Sequence, residues 1–347
     1  MLSHSFLYTP LLGIAALLTL LFVWLKRDEL GLWIEVEEKL PETRYFVLPD
    51  QRQMAYGIYG APNAASTVFY FHGCPSSHHE AFLLSDAGRR YGVRIVAPSR
   101  PGSGGSTFRD KGAILDYPDD VLALADYLNI TKFGIIAVSG GAPYAFACRQ
   151  RIPRPRLTGM GIVAGIYPVT SLGTAGMKLP SRIMLRVATW FPGVVAWLID
   201  RQLGTVARDK DEGKMEALLV ADMQQDSTPQ SDRLAWEAAR PAIRKAVVMG
   251  VREGVRYGGQ GPAWEMKSLG SHWGFELADV QPKGDNELVM WHGNLDANVS
   301  IIMAEKATAQ LGPHAELRRI SGQGHGTLTF HMADDIVKTL RAMLDKN

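Results

Sequence analysis

The sequence predicts an α/β fold: a mostly parallel, doubly wound sheet with an inserted helical cap, preceded by an N-terminal transmembrane helix. Three observations lead to this prediction. Apolar runs alternate with helical patterns over residues 67–164, which is typical of a parallel sheet covered on both faces. The pattern is then purely helical over about 166–285 and returns to a strand at residue 288. Residues 6–25 contain no charged side chain.

The composition is that of an ordinary globular protein. Of the 347 residues, 46% are apolar and 21% are charged, so disorder is not expected. The formal net charge of +2 gives no sign of a nucleic-acid surface. Cys74 and Cys148 are too few for a disulfide framework or a zinc cluster, and we interpret both as free thiols.

The uncharged run at residues 6–25 is predicted to anchor the chain in a membrane. As a helix it would span roughly 30 Å, the thickness of the hydrocarbon core of a bilayer. Lys26 and Arg27 follow the run and no positive charge precedes it. The positive-inside rule therefore predicts a single-pass protein with an anchor at 1–30 and a cytoplasmic domain at 36–347.

Two other interpretations of the N-terminus remain open. A cleaved signal peptide would need a basic start and a small-residue cleavage site, and neither is present. A buried helix would need a polar face. A lumenal or secreted domain is the alternative location, since Asn129 and Asn298 begin glycosylation motifs. Asn298 lies two residues from a candidate catalytic side chain, so we favour the cytoplasm.

The individual elements follow from apolar periodicity. Residues 36–60 are expected to open the domain with an antiparallel pair. The runs that predict strands are Tyr45–Leu48, Gln53–Tyr56, Thr67–Phe71, Val93–Pro98, Phe133–Val138, Leu157–Ala164, Leu288–Trp291 and Ala315–Ile320. Helices are predicted at Ser77–Arg90, Tyr117–Leu128, Gly140–Arg151 and His331–Leu344, and within the cap at Arg182–Phe191, Gly193–Leu203, Lys214–Gln224 and Ser231–Val251.

Ser139 is the candidate nucleophile. It lies in the sequence Ala-Val-Ser-Gly-Gly, between a predicted strand and a predicted helix. A sharp strand–helix turn lifts a serine hydroxyl clear of the sheet, and small neighbours allow the strand and helix to approach closely. On this segment alone, a turn that merely ends a strand explains the pattern almost as well.

Asp296 and His325 strengthen the catalytic interpretation. Each follows a predicted strand, so all three side chains are expected at the carboxyl edge of the sheet. The chain order of serine, aspartate and histidine is that of one class of triad enzymes. Serine needs a base because its hydroxyl is a poor nucleophile at neutral pH. His325 would take the proton, and Asp296 would orient the imidazole and stabilise its charged form.

The segment His72-Gly-Cys-Pro follows a predicted strand and completes the candidate site. Backbone N–H groups of Cys74 and Gly140 are the expected oxyanion donors. We expect His72 to hold this loop by hydrogen bonds. A metal site built from His72, His78, His79 and Glu80 is disfavoured because the spacing suits no common site, and Ser77 with Glu80 predicts a helix cap instead. No cofactor is expected: the glycine-rich turn at 102–105 lacks the spacing of a dinucleotide site.

These motifs resemble the α/β-hydrolase superfamily, and most closely its members with a helical cap. The resemblance covers roughly residues 45–345. The matching segments are HGCPSSHHE, SRPGSGGST, AVSGGAPYAFACR, WGFELADV, WHGNLDANVS and GQGHGTL. The resemblance implies the α/β-hydrolase fold with Ser139 as nucleophile, Asp296 as acid and His325 as base. Ala137 departs from the usual glycine, and Ser99 stands where relatives often have aspartate. Relatives that open epoxides or remove halide use an aspartate nucleophile, against which Ser139 argues.

The expected function is a serine hydrolase acting on an ester or related acyl bond of an apolar small molecule. An apolar cap segment suggests that Met184, Trp190, Phe191 and Trp197 line the substrate pocket or touch a membrane; simple packing within the cap is the alternative. Acyl transfer or carbon–carbon bond hydrolysis by the same triad remains open. So does a non-catalytic binding protein, since fold does not fix function. The sequence leaves the oligomeric state undetermined.

Overall fold

The computed structural model describes residues 39–284 and 287–346. Its sheet contains β1 Arg44–Val47, β2 Gln53–Gly60, β3 Thr67–Phe71, β4 Arg94–Pro98, β5 Phe133–Val138, β6 Leu157–Val163, β7 Leu288–Gly293 and β8 Ala315–Ile320. The strands are ordered β1-β2-β4-β3-β5-β6-β7-β8. β2 pairs antiparallel with both β1 and β4, and the pairs from β4 to β8 are parallel. The predicted parallel sheet with an antiparallel start is confirmed.

Helices surround this sheet and form the insert between β6 and β7. They are α1 Ser85–Arg90, α2 Tyr117–Tyr127, α3 Ala142–Arg151, α4 Val169–Leu172, α5 Leu179–Trp190, α6 Pro192–Ile199, α7 Thr205–Ala207, α8 Gly213–Met223, α9 Gln230–Ala238, α10 Pro241–Val255, α11 Gln260–Gly270, α12 Ile301–Leu311, α13 Leu328–His331 and α14 Ala333–Lys346. Short 3₁₀ segments lie at His78–Leu84, Ile114–Asp116, Ser139–Gly141 and Leu277–Val280, and a π turn at Asp200–Gly204.

The central strands are buried on both faces because their side chains alternate between two apolar layers. Phe69 and Ile135 belong to the layer beneath α2, α3 and α12. Val68 and Ile136 belong to the opposite layer, with α14. This double burial explains why the central strands appear in the sequence as continuous apolar runs rather than as alternating patterns.

The insert has an apolar cluster of its own, which includes Ala188, Val195, Met215 and Val255. Between β6 and β7 the described residues form helices and loops, as predicted for 166–285. The single helix predicted at 231–251 is wrong. Ala239 and Arg240 are extended, with ψ of 136° and 149°. Arg240 precedes Pro241, and a residue that precedes proline is disfavoured in the helical region.

The predicted anchor at residues 6–25 lies outside the described residues. Within 39–284 and 287–346, no helix is long and apolar enough to cross a membrane. By its internal contacts, Leu40–Asn347 forms one compact unit, and it contains all eight strands of the sheet. We therefore expect residues 39–347 to fold without the preceding segment.

Candidate active site

Ser139 occupies a strained turn between β5 and α3. Its φ is +50°, a left-handed conformation that is uncommon for residues other than glycine. Gly141 makes the turn possible, because a Cβ atom at that position would lie 2.4 Å from the carbonyl oxygen of Phe71. Ala137 fits in the buried strand despite its methyl group. Ser139 therefore lies in a sharp strand–helix turn of the kind expected from the sequence.

The structure brings the three predicted catalytic side chains together at the carboxyl edge of the sheet. His325, in the loop after β8, has its Nε2 atom 3.0 Å from the Oγ of Ser139. Its Nδ1 atom lies 2.7 Å from the Oδ2 of Asp296, in the loop after β7. A base placed between a hydroxyl and an orienting carboxylate can take the hydroxyl proton and hold the resulting positive charge.

The backbone and a second histidine hold Asp296 in place. Its Oδ1 accepts hydrogen bonds from the N–H groups of Asn298 and Val299, both at 2.9 Å. His292 lies beside the carboxylate, with Nε2 3.5 Å from Oδ2, but donates to the carbonyl of Val299 at 2.8 Å. Burial lowers the pKa of His292, so this ring is neutral at physiological pH.

Opposing influences set the proton affinity of His325. Burial disfavours its charged form, but the neighbouring carboxylates, of which Asp296 acts most strongly, together outweigh burial, and the pKa of His325 is raised. Asp232 and Glu80 act in the same direction as Asp296. A raised histidine pKa suits a base that must accept a proton during the reaction.

The two predicted oxyanion donors lie next to each other, beside Ser139. A Cβ atom built on Gly140 would be 3.3 Å from the backbone nitrogen of Cys74. The neighbouring N–H of Gly73 instead donates to the Glu80 carboxylate at 3.0 and 3.1 Å. Burial raises the pKa of the Cys74 thiol, so Cys74 presents a protonated side chain to the site.

The predicted Ser77–Glu80 helix cap is wrong. Ser77 makes no capping bond, and its buried hydroxyl has no hydrogen-bond partner. Glu80 turns towards the sheet because the Tyr70 hydroxyl donates to it at 2.8 Å, in addition to the Gly73 N–H. The carboxylate therefore fixes residues 72–75 rather than a helix end. We call this segment the oxyanion loop, after the role predicted for Cys74.

Arg100 contacts the oxyanion loop directly, and Glu265 holds Arg100 in place. Neither residue was predicted from the sequence. The Arg100 guanidinium donates to the carbonyls of His72 at 2.6 Å and Gly73 at 2.8 Å. It also pairs with Glu265 of α11 at 2.5 Å. The two side chains are only 1% and 7% exposed. An arginine two residues after a buried strand was the available signal for Arg100, but nothing in the sequence indicates Glu265.

His72 plays the structural part predicted for it. Its Nδ1 donates to the Gly73 carbonyl at 2.7 Å and its Nε2 accepts from the Arg100 N–H at 3.2 Å. Burial lowers its pKa, in keeping with a neutral ring. Ser99 braces the same region, since its Oγ accepts from the backbone N–H of His78 at 3.0 Å and bonds its Nδ1 at 2.8 Å. Within residues 39–284 and 287–346, no cluster of three potential metal ligands is present.

A cavity of about 410 Å³ opens over Ser139 and His325. Its walls are mainly apolar: Ile166, Met177, Pro180, Met184, Leu185, Met266, Leu269 and Val299. Met184 therefore lines the cavity, as predicted. The prediction that Trp190, Phe191 and Trp197 line it is wrong. These side chains are 75%, 63% and 60% exposed on the outside of the cap, because α5 turns its inner face, which carries Met184 and Leu185, towards the catalytic residues.

These elements define an α/β hydrolase: a parallel sheet, a strained serine turn and an ordered serine–histidine–aspartate chain. The model of the alpha/beta hydrolase family matches residues 68–339, and the chain belongs to this family. Among curated proteins, it is 24% identical over 135 residues to the magnesium-chelatase 30 kDa subunit of Rhodobacter capsulatus. That match covers 36% of this chain and 47% of the relative, so the chain spans about half the length of that relative.

Many solved structures share the fold at low sequence identity. A hydrolase from Pseudomonas aeruginosa is 14% identical, with a TM-score of 0.56 over 87% of this chain and 98% of that one. An esterase from Exiguobacterium antarcticum is 14% identical, with a TM-score of 0.55 over 88% and 100%. An epoxide hydrolase from Vigna radiata is 14% identical, with a TM-score of 0.60 over 89% and 99%. These likenesses support the fold.

Proposed function

We propose that the protein is a serine hydrolase that cleaves an ester or related acyl bond of an apolar small molecule. The observation that carries this proposal is the hydrogen-bonded chain from Ser139 through His325 to Asp296, with contacts of 3.0 and 2.7 Å. In the first step, Ser139 attacks the acyl carbon while His325 takes its proton. His325 then returns the proton to the leaving group, and water releases the acyl group by the reverse sequence.

The oxyanion of each tetrahedral intermediate would be held by the N–H groups of Cys74 and Gly140. Such preorganised donors contribute about 3–4 kcal/mol to transition-state stabilisation in related chemistry. The apolar cavity wall favours a substrate with an apolar acyl or alcohol portion, because burial of apolar groups is favourable. The same wall offers no hydrogen-bond partner to a charged group. A serine nucleophile forms an acyl-enzyme and supplies no carboxylate to attack an epoxide.

The test is turnover of p-nitrophenyl esters of increasing chain length by the full chain and by Ser139→Ala. We expect loss of the nucleophile to lower kcat by at least about 10³-fold. Ser171→Ala, an exposed serine of α4, is the matched control and should retain activity. A fluorophosphonate probe should label the wild type but not Ser139→Ala.

The alternatives give different results in the same assay. An acyltransferase would release p-nitrophenol faster when an alcohol or amine acceptor is added, and a carbon–carbon hydrolase would favour β-diketones over esters. If no ester is turned over and the probe leaves Ser139 unlabelled, the proposal fails and a ligand-binding role takes its place.

Membrane anchoring by residues 6–25, with the catalytic domain in the cytoplasm, is part of the proposal. Its support is the uncharged run followed by Lys26 and Arg27. The position of Asn298 in the cavity wall also argues against a glycosylated lumenal domain, because a glycan there would fill the cavity. Alkaline carbonate should fail to extract the full chain from membranes, and protease added to sealed vesicles should reveal the orientation.

A further inference from the structure

Helix α5 separates two hollows of the cap. Its inner face contributes Pro180, Ser181, Met184 and Leu185 to the catalytic cavity. Its outer face borders a second groove of about 500 Å³. The outer side chains are Leu179, Arg182, Ile183, Arg186 and Trp190. Leu179, Arg182, Arg186 and Trp190 recur at intervals of three or four residues, with Ile183 next to Arg182, so all five lie along one stripe of the helix.

The stripe continues as exposed apolar side chains into α6. Of the 13 large apolar side chains that are exposed in the described part of the chain, six lie between residues 179 and 197. Single exposed apolar side chains are ordinary, but a concentration of them marks an interaction surface. We call this surface the cap patch. It consists of Leu179, Arg182, Ile183, Arg186, Trp190, Phe191, Val194, Trp197 and Arg201.

The charge of the cap patch has one sign. Residues 166–199 contain Lys178, Arg182 and Arg186 and no aspartate or glutamate. The Arg201 guanidinium lies 5.8 Å from the centre of the Trp197 ring. The next acidic side chain, Asp200, is paired with Arg208 at 2.8 Å. The patch therefore presents arginines and indole rings without competing negative charge.

We propose that the cap patch binds the surface of an anionic phospholipid bilayer. Tryptophan and phenylalanine side chains are favoured at the depth of the headgroups, and arginines beside them gain from anionic lipid phosphates. A second copy of the chain is a poorer occupant, because a symmetric dimer through this surface would set its arginines against each other. The consequence for substrate access rests on the proposed function: bound lipid lies against the helix that walls the catalytic cavity.

The test uses residues 39–347, which lack the apolar N-terminal run, and sedimentation with vesicles. One set contains phosphatidylcholine alone and the other about 30% phosphatidylserine, which reproduces an anionic leaflet. We expect binding to the anionic vesicles and at least a tenfold weaker partition coefficient for the triple variant Trp190→Ser, Phe191→Ser, Trp197→Ser. Tyr257→Ser, which removes an aromatic side chain that is 59% exposed outside the patch, should bind as the wild type does.

Arg182→Gln with Arg186→Gln should reduce the preference for anionic over neutral vesicles. Thermal unfolding of every variant is the control, and we expect it to be unchanged because the substituted side chains are exposed. The proposal is overturned if the wild type binds neither vesicle, or if the triple variant binds equally well. It is also overturned if the wild type forms a dimer that the triple variant cannot form. Failure of ester hydrolysis by a domain that still binds vesicles would remove the proposed function and leave this surface standing.

Discussion

Two buried carboxylates of the cap each support one of the two loops beside Ser139. The two carboxylates have different kinds of hydrogen-bond partner. Glu265 of α11 meets a charged partner, Arg100, beneath the oxyanion loop. Asp232 of α9 meets neutral donors on the histidine loop: the N–H groups of Gly326 at 3.4 Å and Thr327 at 3.2 Å, and the Thr327 hydroxyl at 2.8 Å.

The two carboxylates differ in the kind of partner that would remain unpaired if each carboxylate were removed. Burial disfavours a charged Arg100, but Glu265, with contributions from Tyr144 and Tyr117, outweighs this effect and the pKa of Arg100 is raised, so the guanidinium depends on its carboxylate partner. The donors around Asp232 carry no net charge, so loss of this carboxylate would leave unpaired hydrogen-bond donors rather than a buried charge. The oxyanion loop is therefore held by a charge pair, whereas the loop after β8 is held by hydrogen bonds to Asp232. The charge of Asp232 also raises the pKa of His325.

The largest effect is expected from Glu265→Ala. It leaves Arg100 buried without a counterion, a situation that typically costs about 3–5 kcal/mol of the free energy of unfolding. Urea denaturation measures the change. The double variant Arg100→Met, Glu265→Leu should recover much of the loss because no unpaired charge remains. A single variant that costs less than about 1 kcal/mol, the range of exposed pairs, would break the comparison.

A smaller effect is expected from Asp232→Ala. The buried donors of Thr327 and the part-buried N–H of Gly326 lose their acceptor, and an unpaired buried donor costs about 1–3 kcal/mol. Because these donors adjoin His325, kcat should fall more than the apparent affinity for substrate. Glu237→Ala, an exposed carboxylate on the same helix, is the matched control. Equal losses of stability for the two variants would show that Asp232 holds nothing in place.

The smallest and most specific effect is on pH dependence, in Asp232→Asn. Hydrolysis needs neutral His325, so wild-type kcat/KM should fall as the pH drops through its raised pKa. The charged or titratable groups around the ring are Asp296, Asp232, Glu80 and His292. Removing the charge of Asp232 lowers the pKa of His325 and moves the acidic limb to lower pH. Glu237→Asn should leave the profile unchanged, and an unmoved profile for Asp232→Asn would exclude electrostatic tuning.

The sheet was more predictable from the sequence than the cap. Strands at Thr67–Phe71, Phe133–Val138 and Ala315–Ile320 have the predicted bounds, because turn residues enclose each short run. The helix α11 lies within the insert predicted to be helical, but its bounds were not predicted, because Gly258, Gly259 and Gly261 conceal its start. One of these is needed for packing: a Cβ atom on Gly261 would lie 2.6 Å from the Gly102 carbonyl oxygen.

The candidate site divides in the same way. Ser139, Asp296 and His325 were recognisable because each stands at the end of a strand in an order that implies one edge of the sheet. Glu265 was not, because its partner is 165 residues away in the sequence and helix periodicity records only which face is buried. The exposure of Trp190 shows the opposite limit: an apolar side chain in a sequence does not state whether it faces protein or solvent.

Because α5 borders both the catalytic cavity and the cap patch, its two faces should meet different requirements: one for substrate turnover and one for binding to a lipid surface. A complete substitution scan of Leu179–Trp190 should separate them by position. Where the inner face borders the cavity, at Met184 and Leu185, side-chain volume should decide which variants turn over soluble esters. Along the outer stripe, at Ile183 and Trp190, many polar replacements should pass that assay and fail only when the substrate is presented in vesicles. The twelve residues of this helix should then show two patterns of tolerated substitutions, one in each assay, offset by about half a helical turn.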